Sequence, residues 1–314
     1  GSYYPFTRVH AMKPFDHVCW KEEYGSDACD IQRESALTKY RMIALMYSEM
    51  LKAHVQGGSI VRPLQADWPQ LTALYDTDQV FSYGGYLIGA PLVHSEMSGT
   101  TVITLPYETY SPISTVSRSY EEYYDFITLS NINCSQTSET DVSDGTCSVT
   151  VDASYGSMPL FVRAGSIIPT QSPQERAYTT FQESTLNLLS VMTAYGSAKG
   201  EMYLDSGKWS NNGLNYANVY VTVSMVTYCD GKGTCTFQIA TSDYGSMVPS
   251  IEKIPSVGTV TIVGDMLGTV KSVSNLDCST STTCSSLIID NNIEISVDFA
   301  LNTGDSLEIS FNYE

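Results

Sequence analysis

The first long pattern of apolar and polar positions along the chain is helical. Between residues 33 and 56, apolar side chains recur at steps of three and four residues, which is the stripe of an amphipathic helix packed on a core. These side chains are Leu37, Tyr40, Ala44, Tyr47 and Leu51. Asp30 is a candidate N-cap, and Gly57 and Gly58 follow the last turn. We therefore predict one long helix whose apolar face packs against a partner outside this chain, because residues 1–57 cannot bury it alone.

After Gly58 the pattern changes to short runs rich in Val, Ile, Thr and Tyr, interrupted by Gly, Pro, Asn and Ser. This pattern predicts an all-β region. The candidate strands cover 59–64, 79–93, 100–106, 120–127, 159–169, 186–192, 200–205, 218–226, 234–240, 259–264, 286–291, 292–298 and 307–313. The number of candidate strands is larger than one ordinary β-sandwich contains. We therefore divide them between two domains. The stretch 170–180 is the predicted linker, and the polar stretch 131–147 belongs to an insertion in the first domain.

The composition of the chain argues against a nucleic-acid partner, a membrane span and a secretory signal. Lys and Arg number 16 against 34 Asp and Glu, a formal net charge of -18 that repels nucleic acid, so we expect no nucleic-acid partner. The apolar runs fall far short of the roughly 20 residues that a membrane span needs, so we expect none. The first thirty residues lack the basic start and apolar run of a secretory signal, so we expect that they are not a targeting segment.

The cysteines indicate an oxidising compartment. All eight fall in close pairs, each spanning a loop rich in Gly, Ser, Thr or Asp. The predicted pairs are Cys19 with Cys29, Cys134 with Cys147, Cys229 with Cys235, and Cys278 with Cys284. No pair has the C-x-x-C spacing that zinc and thioredoxin-like sites usually need, so we predict local disulfides rather than free thiols. Asn133 begins an Asn-Cys-Ser sequon in the second of these loops, and we predict that it is glycosylated.

Several acidic residues that could act as catalytic carboxylates lie where acids usually have a structural role. Asp76 and Asp78 lie in a Y-D-T-D turn, while Glu121, Glu122 and Asp125 lie along a tyrosine-rich strand. We expect these acids to cap turns or to face solvent. The histidines show no metal-ligand spacing with one another or with the cysteines, so we predict no metal site and no cofactor.

Several stretches, taken in order, resemble glycoside hydrolase family 31, the family of many α-glucosidases. GSYYPFTRVH is similar to the family's G-A-F-Y-P-F-x-R-N-H, and the helix ending YSEMLKAHVQGGSIVRPL is similar to its last barrel helix and following strand. YDTDQVFSYGGYLIGAPLV, PLFVRAGSIIPTQ and GEMYLDSGKW each look like later family segments. The resemblance covers most of residues 1–210, and its specificity comes from the order and spacing of the stretches.

The resemblance implies a mainly β fold in three parts. Residues 1–57 correspond to the end of a (β/α)8 catalytic barrel, with one loop and the last helix. Residues 58–172 correspond to a proximal C-terminal β-sandwich domain with an insertion near 108–157, and residues 173–314 to a distal C-terminal β-sandwich domain. The implied partner is the N-terminal portion of the same enzyme, which carries most of the barrel.

The implied activity is hydrolysis of terminal α-linked glucose from oligosaccharides with retention, in a secreted, lysosomal or other extracytoplasmic compartment. Retention needs two carboxyl groups about 5 Å apart, and the family places both aspartates before the opening motif, so we expect no catalytic residue in this chain and no activity from it alone. His10 matches a family histidine that hydrogen-bonds glucose hydroxyls. Arg8 matches a supporting arginine, and Val9 replaces the family asparagine between them. The rival hypothesis is a non-catalytic carbohydrate-binding or structural β-protein that kept the family scaffold.

Overall fold

A computed structural model of the chain provides the fold. It describes residues 3–7, 26–91, 99–109, 119–132, 134, 144–154, 156–204, 220–244, 255–279, 284–301 and 304–314. No helix among these residues is long and apolar enough to cross a membrane.

The two long helices of the described residues, α1 (Ser26–Arg41) and α2 (Ile43–Gln56), precede the first strand. The shorter α3 (Leu64–Asp67) and α4 (Ala177–Glu183) follow it. The predicted single helix is thus two helices separated at Met42, and because α1 already begins at Ser26, the prediction of Asp30 as N-cap is wrong. The predicted end is confirmed, since Gly57 has φ 81° and its N–H bonds to the carbonyl of Ala53 at 2.9 Å.

The buried face of α2 differs from the predicted apolar stripe. Of the predicted side chains only Ala44 is fully buried, and the remaining ones are half-buried. The face that packs also contains Met42, Leu45 and Met46. Ala44 and Tyr47 join the core of the large sheet described below, which corrects the expectation that this face packs against a partner outside this chain. The stripe was misjudged because two polar residues of α2, Ser48 and Glu49, are also buried.

Strands make up most of the remaining described residues. They are β1 (Val61–Pro63), β2 (Phe81–Tyr83), β3 (Leu87–Gly89), β4 (Thr100–Pro106), β5 (Glu108–Thr109), β6 (Ser119–Tyr120), β7 (Tyr123–Asp125), β8 (Thr146–Asp152), β9 (Leu160–Arg163), β10 (Ser166–Gln171), β11 (Leu186–Val191), β12 (Ser197–Leu204), β13 (Tyr220–Cys229), β14 (Thr234–Tyr244), β15 (Val257–Val263), β16 (Val273–Cys278), β17 (Ser285–Ile289), β18 (Asn292–Phe299) and β19 (Ser306–Tyr313). β8 and β16 were not predicted, because β8 follows the polar insertion and β16 has only two large apolar residues, Val273 and Leu276, separated by two polar ones.

A ten-stranded sheet dominates the second half of the chain. Its order is β16-β19-β14-β13-β12-β10-β11-β15-β18-β17. The edge strands β16 and β17 lie next to each other, so this large sheet nearly closes into a barrel. Side chains from most of its strands, among them Leu188, Met202, Phe237, Ile262 and Phe311, fill the interior. One nearly closed sheet therefore stands where we predicted a distal sandwich.

A five-stranded sheet with the order β1-β2-β3-β9-β7 forms the smaller layer, and β4 pairs with β8 beside it. Its core contacts the outer face of the large sheet through Ile168, Leu189 and Val263. β10 precedes the predicted boundary at residue 172, yet it pairs with β11 beyond that boundary. The division into domains stays a prediction.

Candidate functional site

His10, which is predicted to bind substrate, and Arg8, which is predicted to support it, lie outside the described residues. Cys19 and Asn133 lie outside them as well. The structure contains the disulfides Cys134–Cys147, Cys229–Cys235 and Cys278–Cys284. Cys29 is disulfide-bonded as well.

The segment that leads to Arg8 and His10 is anchored on the small sheet. The Tyr3 ring is buried and meets the ring of Phe81 edge-on, with centroids 5.4 Å apart. The Tyr3 hydroxyl donates to the carbonyl of Pro159 at 3.2 Å. Lys39 of α1 donates to Thr7 Oγ1 at 3.0 Å. These contacts fix the chain immediately before the two predicted residues.

The acids in turns behave as predicted. Asp76 and Asp78 are exposed. Asp125 Oδ1 accepts the backbone N–H groups of Ile127 at 2.9 Å and Thr128 at 2.7 Å, which caps the turn after β7. None of these three carboxylates lies in a protected site where general acid–base chemistry would be favoured.

Glu121 and Glu122 differ from the prediction, because neither faces solvent freely. The Glu121 side chain is only 6% exposed and accepts two hydrogen bonds from Arg163, at 2.7 Å and 2.5 Å. The Arg163 guanidinium also donates to the carbonyl of Gly85 at 3.2 Å and lies 4.7 Å from the centre of the buried Trp68 ring. Burial raises the pKa of Glu122. Since both Glu121 oxygens accept hydrogen bonds from the guanidinium, this carboxylate joins the segment between β6 and β7 to β9.

Glu49 of α2 is the second buried carboxyl group, and it faces the turn between β2 and β3. Its nearest cation is Lys52, with Oε1 and Nζ 3.9 Å apart, and burial raises its pKa. A Cβ on Gly84, where φ is +61°, would come within 2.7 Å of the Glu49 carboxyl, so this turn needs glycine. The neighbouring Tyr83 hydroxyl is buried and has no hydrogen-bond partner among the described residues. The Glu49 carboxyl is thus enclosed between α2 and the turn that joins β2 to β3.

A cleft of about 430 Å³ opens nearby, between α2, β9 and β12. Its charged and aromatic lining consists of Lys52, Tyr86, Arg163, Lys199 and Glu201. The Lys52 ammonium lies 5.6 Å from the centre of the Tyr86 ring. The cleft can donate hydrogen bonds to a polar group, but among the described residues Glu201 is the only carboxylate that lines it. The described part of its lining therefore does not supply the carboxyl pair that glycoside hydrolysis uses.

Sequence reasoning did not foresee the buried pair of Glu121 and Arg163 or the burial of Glu49. Arg163 gave a usable signal, because an arginine inside the apolar run LFVRAG needs a buried partner. Glu49 gave none, because it falls at the edge of the predicted helix stripe.

Comparison with known proteins identifies part of this architecture. Residues 57–168 match the glycosyl hydrolase family 31 C-terminal domain. Human neutral alpha-glucosidase C is 28% identical over 209 residues, which is 66% of this chain and 20% of the relative. A probable glucan 1,3-alpha-glucosidase of Arabidopsis thaliana is 28% identical over 211 residues, again 66% of this chain and 20% of the relative. The chain thus spans about a fifth of the length of these relatives.

Solved structures share the fold. The glucosidase II alpha subunit superposes with a TM-score of 0.68 and 18% identity, covering 100% of this chain and 32% of that one. A family 31 dextranase of Flavobacterium johnsoniae superposes with a TM-score of 0.67 and 17% identity, covering 93% of this chain and 34% of that one. Both alignments extend well beyond residues 57–168, so the large sheet is also shared.

Proposed function

We propose that this chain, which carries the C-terminal domain of glycoside hydrolase family 31, is the C-terminal part of a retaining α-glucosidase. The enzyme removes terminal α-linked glucose from oligosaccharides. Its nucleophile and its acid/base belong to the portion that carries most of the (β/α)8 barrel, and residues 1–57 contribute the last loop and helix of that barrel. The disulfides support an extracytoplasmic compartment, secreted or lysosomal.

The observation that carries this proposal is the docking of the opening motif on the family domain. Tyr3 contacts Phe81 and Pro159, and both of these lie within the matched residues 57–168. The matched β-domain therefore anchors the described part of the motif, residues 3–7. Loops positioned by a rigid scaffold are where binding residues are concentrated.

In this proposal His10 binds the terminal glucose and Arg8 supports the loop. Imidazole suits the first task because it can donate and accept hydrogen bonds near neutral pH. Arginine suits the second because its guanidinium can satisfy several acceptors at once. The N-terminal portion of the enzyme is the partner that completes the pocket.

The test is kinetic and uses the complete enzyme. We expect His10→Ala to lower kcat/KM for maltose by about 10- to 1000-fold with little change in stability, because a hydrogen bond that tightens in the transition state is worth roughly 1.5–4 kcal/mol. Arg8→Ala should lower stability and activity together. His54→Ala is the matched control, since His54 is exposed at the end of α2, and it should behave as wild type.

Two further readouts separate this proposal from the rival. Anomer-resolved NMR of the first product should show α-glucose, and the 314-residue chain alone should show no hydrolysis. Unchanged kinetics in His10→Ala would refute the assigned role of His10. Absence of hydrolysis by the complete protein would instead support a non-catalytic carbohydrate-binding or structural role. An intact-mass measurement with and without reductant shows whether a second polypeptide accompanies the chain.

A further inference from the structure

Two exposed tyrosines lie at one end of the large sheet, in the turn before β12 and on β13. Tyr195 is 76% exposed and Tyr228 is 58% exposed. Among the described residues, neither hydroxyl has a hydrogen-bond partner. Tyr228 lies on β13 directly opposite Ser197 of β12, and Tyr195 precedes Ser197 by two positions in the turn before that strand. Tyr195 and Tyr228 are therefore at the same end of the large sheet.

The strands around Tyr228 present hydroxyl and amide groups. Across the sheet, Tyr228 is opposite Thr236 of β14, which in turn is opposite Ser310 of β19. The adjacent row runs from Lys199 through Val226 and Gln238 to Glu308. Directly opposed side chains have Cβ atoms about 4.5–5.5 Å apart, so Ser197 and Thr236 lie within reach of a ligand stacked on Tyr228.

The strand that carries Tyr228 is joined to β14 by a disulfide and to the turn that carries Tyr195 by a hydrogen bond. Cys229 follows Tyr228 and is joined by a disulfide to Cys235, its partner across the hairpin. On the other side, the N–H of Cys229 donates to the carbonyl of Gly196 at 2.7 Å, which ties β13 to the turn that carries Tyr195. A binding surface that is already ordered loses little entropy when a ligand binds.

The chemistry of this face selects one class of ligand. A protein partner would meet only a small apolar area, since Tyr195, Val226 and Tyr228 are surrounded by polar residues, and stable protein interfaces have an apolar core. The nearby charges, Lys199 and Glu308, have opposite signs, so the face has no bias towards an anion or a cation. A sugar chain fits both properties, because it is neutral, has apolar ring faces for stacking and has a rim of hydroxyls for hydrogen bonds.

We propose that Tyr195 and Tyr228 form an accessory binding surface for a neutral α-glucan chain, separate from the catalytic pocket. The two rings stack on sugar rings, and Thr236, Gln238 and Lys199 contact the hydroxyls. The choice of an α-glucan rests on the proposed function. The binding itself does not, because it needs only the large sheet.

The test uses the 314-residue chain with maltoheptaose in calorimetry and with glycogen in affinity electrophoresis. We expect glycogen to retard the wild-type chain. Tyr228→Ala and Tyr195→Ala should each weaken maltoheptaose binding by about tenfold, which corresponds to about 1.4 kcal/mol. Tyr228→Phe should keep most of the affinity because it keeps the ring. Tyr75→Ala is the matched control, since Tyr75 is also exposed but lies near α3, and it should bind as wild type.

The outcomes separate this proposal from the preceding one. Absence of retardation by glycogen, or wild-type affinity in the double variant Tyr195→Ala/Tyr228→Ala, would overturn the accessory surface even if the complete enzyme hydrolyses maltose. Equal loss of affinity in Tyr75→Ala would overturn it too. Tyrosine-dependent binding by a protein without α-glucosidase activity would support the surface and refute the proposed catalysis. In an active enzyme, Tyr228→Ala should raise KM for glycogen while leaving kinetics on maltose unchanged.

Discussion

Replacing Arg163 by methionine should strongly destabilise the family domain. The substitution removes the only cation that pairs with Glu121 among the described residues, and the Glu121 side chain is only 6% exposed. It also removes the donor to the carbonyl of Gly85 and the cation above Trp68. An unpaired buried carboxylate cannot recover its lost hydration, so the stability of the whole five-stranded sheet should fall.

The magnitude follows from the geometry. Breaking a buried ion pair by removing one partner costs about 3–5 kcal/mol. The reverse substitution, Glu121→Gln, should cost less, about 1.5–3 kcal/mol for a hydrogen bond to a charged group. The difference arises because the Arg163 side chain is 28% exposed and can turn towards water, whereas Glu121 cannot. The double variant Glu121→Gln/Arg163→Met should therefore be more stable than Arg163→Met alone.

Urea unfolding followed by tryptophan fluorescence measures these differences, and Trp68 lies directly beneath the substituted side chain. With a slope of about 3 kcal/mol per molar urea, Arg163→Met should lower the midpoint by about 1 M or more. Arg33→Met on the exposed side of α1 is the charge-matched control and should stay within about 0.5 kcal/mol of wild type. A urea midpoint for Arg163→Met equal to that of the control would refute the reasoning. A double variant no more stable than Arg163→Met would refute it as well.

Two further predictions concern Glu49 and the hairpin disulfide. Burial raises the pKa of Glu49, so the folded state holds its proton more tightly than the unfolded state, and stability falls as pH rises above the ordinary value of 4.5. Glu49→Gln should therefore raise Tm at pH 7 and have little effect below pH 4, and a pH-independent effect would contradict this. The double variant Cys229→Ala/Cys235→Ala should lose about 2–3 kcal/mol, as expected for a short loop. Reductant should destabilise the wild type by more than it destabilises the double variant, because the double variant has already lost the hairpin disulfide but keeps Cys134–Cys147 and Cys278–Cys284.

The β-rich character of the chain was predictable because alternation of apolar and polar residues is a local property. Strands such as β18 and β19 alternate clearly, and both were predicted close to their observed bounds. The closure of the large sheet was not predictable, because it depends on the contact of β16 with β17 and on the pairing of β10 with β11 and β12. Pattern alone does not determine which strands become neighbours.

The helical region shows a second limit of prediction from the sequence. The sequence predicts helix through residue 56 correctly, because Gly57 ends it with a positive φ. It does not predict the interruption at Met42, since methionine is a good helix former. Tertiary contacts bury Ser48 and Glu49 on the same side as Leu45, which an apolar stripe could not indicate.

The pair of Glu121 and Arg163 also bears on what a family motif can say about function. The stretch PLFVRAGSIIPTQ resembles the family strongly, yet its one charged side chain is used to join β9 to the segment between β6 and β7 across a buried ion pair. The resemblance in this part of the chain thus reflects packing, and packing is shared by relatives whatever sugar they cleave. Under the two proposals above, His10 binds the terminal glucose, and Tyr195 and Tyr228 bind a glucan chain. Because the rings of Tyr195 and Tyr228 are exposed, replacing them should alter sugar binding without unfolding the protein, which separates them experimentally from Arg163.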